Sequence, residues 1–237
     1  MRIGWCSTAL EAGVCFSPPM KFVPPRDGSE DGRGFLSCPA VRGYFSVTYF
    51  IPAPFSLRLA YSEVNGQPII RPVYPFTSLN ENKIRELITI ESQSSWRSPS
   101  IVALQVPSPY LFFADEPVVM CQDPVTLTTP TSHSWRLIPG KFNIYSWQRP
   151  LNWACEWHVE AGDLIIKAGE PLYFITFESA EGQSLGNIEL VESPMTPEIN
   201  EQLRLTRGVA SIRRGVMPLF DIAAECRKDK KFVPSEG

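Results

Sequence analysis

Residues 56–64 alternate Leu57, Leu59 and Tyr61 with Ser56, Arg58 and Ala60, the period of a strand with one buried face. Short β-type runs recur at Tyr44 to Ile51, Pro68 to Val73, Ile101 to Val106, Tyr110 to Phe113 and Pro117 to Cys121. Asn65-Gly66 stands between two such runs. A type I′ turn needs positive φ at both central positions, so this pair predicts a hairpin. The densest stretch, Trp135 to Phe177, holds four of the six tryptophans. Within it, Leu164 to Ile166 and Leu172 to Phe177 flank Ala168-Gly169-Glu170 and read as two strands joined into a hairpin by a short glycine-containing turn.

Helical signals are few and short. In Leu79 to Ile90, Asn80 is placed to cap a helical turn carrying Ile84 and Leu87, which leads into a strand at Leu87 to Ile90. Thr196-Pro197-Glu198 combines a side-chain cap, a first-turn proline and an acid at the positive helix end, predicting a helix over about 197–206. A second helix is predicted from Pro218, with Leu219, Ile222, Ala223 and Cys226 on one face and Arg227, Lys228, Lys230 and Lys231 in its last turns. Residues 17–34 hold two Pro-Pro steps and a charged, glycine-rich run, which disfavour regular structure. The expected organisation is an extended arm over 1–34, a β-rich main domain over 35–195 and a helical segment over 196–237. Trp5, Val14, Phe16 and Phe22 would let the arm lie along the domain or reach into a neighbouring subunit.

Composition strengthens the β reading. The 23 prolines among 237 residues are about twice the usual share and oppose long helices. The expected fold is mainly β, an antiparallel β-sandwich or a jelly-roll/cupin-like barrel, with a small C-terminal helical appendage. A net charge of −3 gives no general attraction to nucleic acid or an anionic membrane. The apolar region Ile101 to Phe113 is cut by Pro107 and Pro109 and falls short of the roughly 20 residues of a spanning helix. The first residues lack the apolar run of a secretory signal. Six scattered cysteines without a close CxxC pair favour reduced thiols.

The candidate chemistry is sparse. Iron-binding double-stranded β-helix enzymes need two histidines and a carboxylate, and the set available here is His133, His158 and Glu160. Its order reverses that family's, so no metal or other cofactor is expected. Cys155 and His158 are three residues apart, and an odd separation in a strand turns the two side chains to opposite faces, against a nucleophile and base pair. Neither a GxxxxGK[ST] loop nor a GxGxxG fingerprint occurs. The remaining candidate is a contact surface of Trp147, Arg149, Trp153 and Trp157, with flat apolar faces for stacking and a planar cation for a phosphate or carboxylate. The competing reading of the same tryptophans is that they fill the core or a subunit interface.

At Cys38-Pro39-Ala40-Val41 with Tyr44 to Ile51, and at Trp147-Gln148-Arg149-Pro150-Leu151 with Gly162-Asp163 and Gly169-Glu170-Pro171-Leu172-Tyr173, the chain resembles uncharacterised proteins encoded by tailed bacteriophages of aquatic bacteria. The resemblance implies a phage origin and transfers no activity. The first functional expectation is a non-catalytic binding or assembly protein, a virion structural or accessory component or a host-directed factor. It would act in the host cytoplasm or the virion through a protein partner or self-association, with a small-molecule ligand left open. The alternative is a cupin or double-stranded β-helix enzyme, suggested by Gly162-Asp163-Leu164-Ile165-Ile166.

Overall fold

The computed structural model describes residues 1–8, 16–25, 34–127, 134–150, 152–209, 219–227 and 231–234. In chain order the strands are β1 (Arg2–Ser7), β2 (Met20–Lys21), β3 (Tyr49–Pro52), β4 (Leu57–Val64), β5 (Gln67–Pro72), β6 (Thr89–Ile90), β7 (Ile101–Pro107) and β8 (Tyr110–Phe113). They continue as β9 (Val118–Asp123), β10 (Trp135–Leu137), β11 (Gly140–Asn143), β12 (Asn152–His158), β13 (Leu164–Ile166), β14 (Pro171–Ser179) and β15 (Glu189–Glu192). Helices α1 (Pro39–Ser46) and α2 (Glu81–Leu87) lie between strands, and α3 (Pro197–Val209) and α4 (Leu219–Cys226) follow them.

The strands form four sheets, ordered β15-β1-β8, β10-β12-β7-β6, β11-β9-β14-β3-β2 and β13-β4-β5. β1 pairs in parallel with β15 and antiparallel with β8. The fold is mainly β, as expected, and the barrel alternative gives way: no sheet order returns to its first strand.

Strand periodicity explains how open sheets share one core. Ile3 and Trp5 of β1, Tyr110 and Phe112 of β8, and Val102, Leu104 and Val106 of β7 all point into the same cluster. Leu57 and Leu59, Leu164 and Ile166, and Tyr173, Ile175 and Phe177 face it from the other two sheets. The opposite parity meets different partners. Cys6, Leu111 and Phe113 pack on Ile199 and Leu203 of α3 and on Phe232, so the C-terminal segment forms a layer over the β1 sheet. Phe174 on the outer face of β14 packs with Phe22 and with Phe45 of α1. Gly4 is opposite Phe113 in the ladder, and a Cβ there would lie 2.0 Å from the Phe113 ring, so the aromatic lies where only glycine leaves room.

Local signals hold where short-range bonds decide. Asn65 and Gly66 have φ of 53° and 74°, and Val64 pairs with Gln67 across the hairpin. Asn80 Oδ1 accepts from Lys83 N at 2.9 Å, capping α2, and Thr196 Oγ1 accepts from Ile199 N at 3.2 Å at the start of α3. The α3 helix extends to Val209. Pro218, Lys228 and Lys230 of the expected last helix lie outside the described residues.

Three expectations change. The run Tyr44 to Ile51 is divided between the end of α1 and β3: Pro39 starts the helix with its fixed φ, and Phe45 is buried against Phe22 and Phe174. The expected hairpin of Leu164 to Phe177 is instead a crossing between sheets. β13 pairs with β4, while β14 pairs with β3 and β9. Its turn is bonded outward, with Gly169 N donating to Ala53 O and Ala53 N to Glu170 O, both at 2.8 Å. Residues 2–7, expected within an extended arm, form the central strand of a sheet because Ile3 and Trp5 complete the core.

Candidate functional site

The tryptophans expected to form a contact surface are drawn inward. Trp153 and Trp157 on β12 are 2% and 0% exposed, and Trp147 is 8% exposed. This corrects the surface reading: Trp153, Cys155 and Trp157 share the core parity of β12, leaving their faces to the core. Trp157 Nε1 donates to Gly162 O and Trp135 Nε1 to Ile165 O, each at 2.8 Å. Arg149 remains half-buried over the Trp147 ring, 5.4 Å from its centroid, so it is joined to only one tryptophan of the expected group.

The other candidates separate as well. Cys155 is buried in the core and His158 lies on the opposite face of β12, half-buried. Burial pushes the Cys155 thiol far above its ordinary range, away from the thiolate a nucleophile needs. Glu160 follows on an exposed turn, and His133 lies outside the described residues. Among the described residues no three histidine, cysteine, aspartate or glutamate side chains gather to hold a metal ion.

Two arrangements that sequence reasoning missed stand out. The first is a small apolar pocket where the ends of six strands meet, holding about 20 Å³, room for about one water. Three connections build it. Pro54 and Phe55 come from between β3 and β4, Ser108 and Pro109 from between β7 and β8, and Ile166 and Leu172 from the two sides of the β13 to β14 crossing. Trp153 and Tyr173 complete its aromatic wall. The outward bonds of the Gly169 turn hold the first and third connections together, and Ala168 N adds a bond to Ser56 Oγ at 3.1 Å. Phe16 lies at the pocket, its ring edge-on to Tyr110 at 5.9 Å, and Tyr110 OH donates to Ser17 O at 2.6 Å.

Polar groups in this pocket are few and uncharged. Ser108 Oγ and Tyr173 OH are 3.4 Å apart in a buried hydrogen bond. Burial raises the Tyr173 phenol to about 12 and moves Tyr110 in the same direction, so both stay protonated. Trp153 Nε1 is buried with no hydrogen-bond partner among the described residues, although its ring packs edge-on against Trp135 at 5.2 Å. A buried donor without an acceptor costs about 1–3 kcal/mol. Among the described residues no charged side chain lines the pocket.

The second arrangement is a polar strip on the outer face of the five-stranded sheet, beside α1. Cys121 and Thr176 are directly paired across β9 and β14, with Asp123 and Glu178 further along the same face. Lys141 Nζ from β11 contacts Glu178 Oε2 at 2.6 Å, and this bond holds the Glu178 carboxyl below its usual range. Asp123 moves upward through burial and the nearby Glu178 charge, although hydroxyls of Thr176 and Tyr44 bond to it. Cys121 is pushed up to about 11 by burial and by Glu178, leaving a protonated thiol beside the carboxylate.

In the sequence, Pro107 and Pro109 cut an apolar run, but nothing local told that this break converges with the connections at Pro54 and Gly169. Neither a protein-family model nor a curated protein sequence matches the chain.

Proposed function

We propose that the chain is a non-catalytic binding or assembly protein, of the phage type its sequence resembles, and that it engages its target by taking an apolar group into the Trp153–Tyr173 pocket. The supporting observation is the pocket's lining: aromatic, aliphatic and proline side chains present an apolar surface where three connections meet, two of them tied through the Gly169 turn. Such a lining favours an apolar group and offers a polar one no partner. The enzyme alternative has weaker support, because Cys155 and His158 face opposite sides of β12. The polar strip holds a thiol raised to about 11 rather than an activated one.

Titration of the protein with xenon and small alkanes, followed by Trp153 fluorescence or indole N–H resonance, tests the reading. Saturable binding that Val106→Phe abolishes is expected, because Val106 lines the pocket. Absence of binding by every compound would overturn it. Recovery of the chain at fixed copy number from purified virions would support the assembly role.

A further inference from the structure

Among the described residues β5 is the longest strand at the edge of a sheet. It has six residues, whereas the other edge strands, β2, β6, β8, β10, β11, β13 and β15, have two to four each. It pairs with β4 on one side only, and the hairpin tip over 62–67 is exposed. An open edge of this length, with Ile69 and Ile70 at its centre, is a template for a further strand. Strand parity shows what that edge offers. Val73 N donates to Arg58 O at 2.8 Å, continuing the β4 pairing one residue past Pro72. Bonded positions alternate along an antiparallel pair, so Gln67, Ile69 and Arg71, which share the parity of Val73, turn their amides to β4. Pro68, Ile70 and Pro72 turn away from it. Two of the three outward positions are therefore prolines, which lack the N–H and carry a ring in its place.

We infer that Pro68 and Pro72 close this edge, so that a second copy of the chain does not extend the β13-β4-β5 sheet through β5. Two β5 edges meeting antiparallel about Ile70 would set Pro68 of each against Pro72 of the other. Three outward residues on each strand would offer six N–H donors; the two prolines of each strand remove four and leave the two of Ile70. Their rings also hold an incoming backbone away. On the inner side the prolines forfeit no bond, because the amides turned to β4 belong to Gln67, Ile69 and Arg71. Contacts with another copy then fall to the faces of the sheets. This guard is independent of the Trp153–Tyr173 pocket.

The double variant Pro68→Thr, Pro72→Thr restores the four donors with a residue suited to strands. Variant and wild type are compared over one concentration series by sedimentation velocity and by amide exchange at Ile70. The sedimentation coefficient of the variant is expected to rise with concentration more steeply than that of wild type. Its Ile70 amide should slow by about tenfold over the series, as when nine molecules in ten are paired, while the wild-type amide keeps one rate throughout. If the double variant does not fold, Pro68→Thr alone, beside the exposed tip, restores two donors and decides the matter by a smaller effect in the same direction. A folded variant that sediments like wild type, with Ile70 unprotected at every concentration, would overturn the inference. So would a wild-type chain whose Ile70 amide gains protection with concentration, since the edge would then pair despite its prolines.

Discussion

Trp157 Nε1 donates to the carbonyl oxygen of Gly162, five residues further on, at 2.8 Å, so the most buried indole in the chain fixes the turn that follows its own strand. Gly162 has φ of 122°, a backbone that side chains rarely adopt, and from there the chain enters β13. Trp157 also meets Tyr61 of the neighbouring sheet edge-on at 6.2 Å. One side chain thus ties β12, the turn and β4 together.

Trp157→Phe removes the indole N–H, orphans the Gly162 carbonyl and leaves a void in the core. Destabilisation by about 2–4 kcal/mol is expected in urea or guanidinium unfolding. A change below about 0.5 kcal/mol would show that the turn holds without this bond.

Asp115 anchors the C-terminal segment. Its two carboxylate oxygens accept from Phe232 N at 2.7 Å and Val233 N at 3.2 Å, and Arg227 lies 3.7 Å away while stacking on Tyr145. Asp115→Ala is expected to cost about 1–3 kcal/mol and to speed amide exchange at Phe232 and Val233. Unchanged exchange at those two amides would mean that apolar packing of Phe232 alone holds the segment.

Asp123 and Glu178 should give opposite pH signatures. Asp123 titrates above its ordinary value of 3.8 in the folded state, so the fold binds that proton more tightly than the unfolded chain. Stability from this group falls as pH rises from about 3.8 through the raised folded value. Glu178 titrates below its ordinary value of 4.5, so its contribution is present above 4.5 and is lost as pH falls through the folded value. Asp123→Asn is therefore expected to gain stability relative to wild type above that window, and Glu178→Gln to lose it there. Both differences should shrink toward low pH in melting curves taken across pH 3 to 7. Two differences of the same sign would contradict the assignment.

Thiol reactivity should divide sharply among the described cysteines, all of them free. Cys38 is exposed before α1, whereas Cys6, Cys121 and Cys155 are buried, with Cys6 and Cys121 raised to about 11. Brief iodoacetamide treatment at neutral pH, mapped by peptide mass spectrometry, is expected to label Cys38 and to reach the other three only after denaturation. Rapid labelling of Cys155 in the native protein would mean that the β12 core opens readily.

Where an outcome depended on neighbours in the sequence, the pattern was readable. The alternation of Leu57, Leu59 and Tyr61, the Asn65-Gly66 turn and the Asn80 and Thr196 caps each rest on bonds or parity within a few residues. So did the opposite faces of Cys155 and His158, since strand parity needs no partner. Pairing was another matter. The turn at Gly169 looks the same whether its flanking strands pair with each other or part into two sheets, and bonds to Ala53 made them part.

By itself, then, the sequence determined a mainly β chain, the Asn65-Gly66 hairpin and the helices α2, α3 and α4 but not α1, because these follow from local backbone preference and the period of apolar residues. Only the tertiary structure decided that Trp153 and Trp157 face the core instead of solvent, and that three connections far apart in the chain close on one pocket. The reason is physical: parity names two faces of a strand, but which face is buried, and beside which distant strand, is set by packing among segments far apart in the chain.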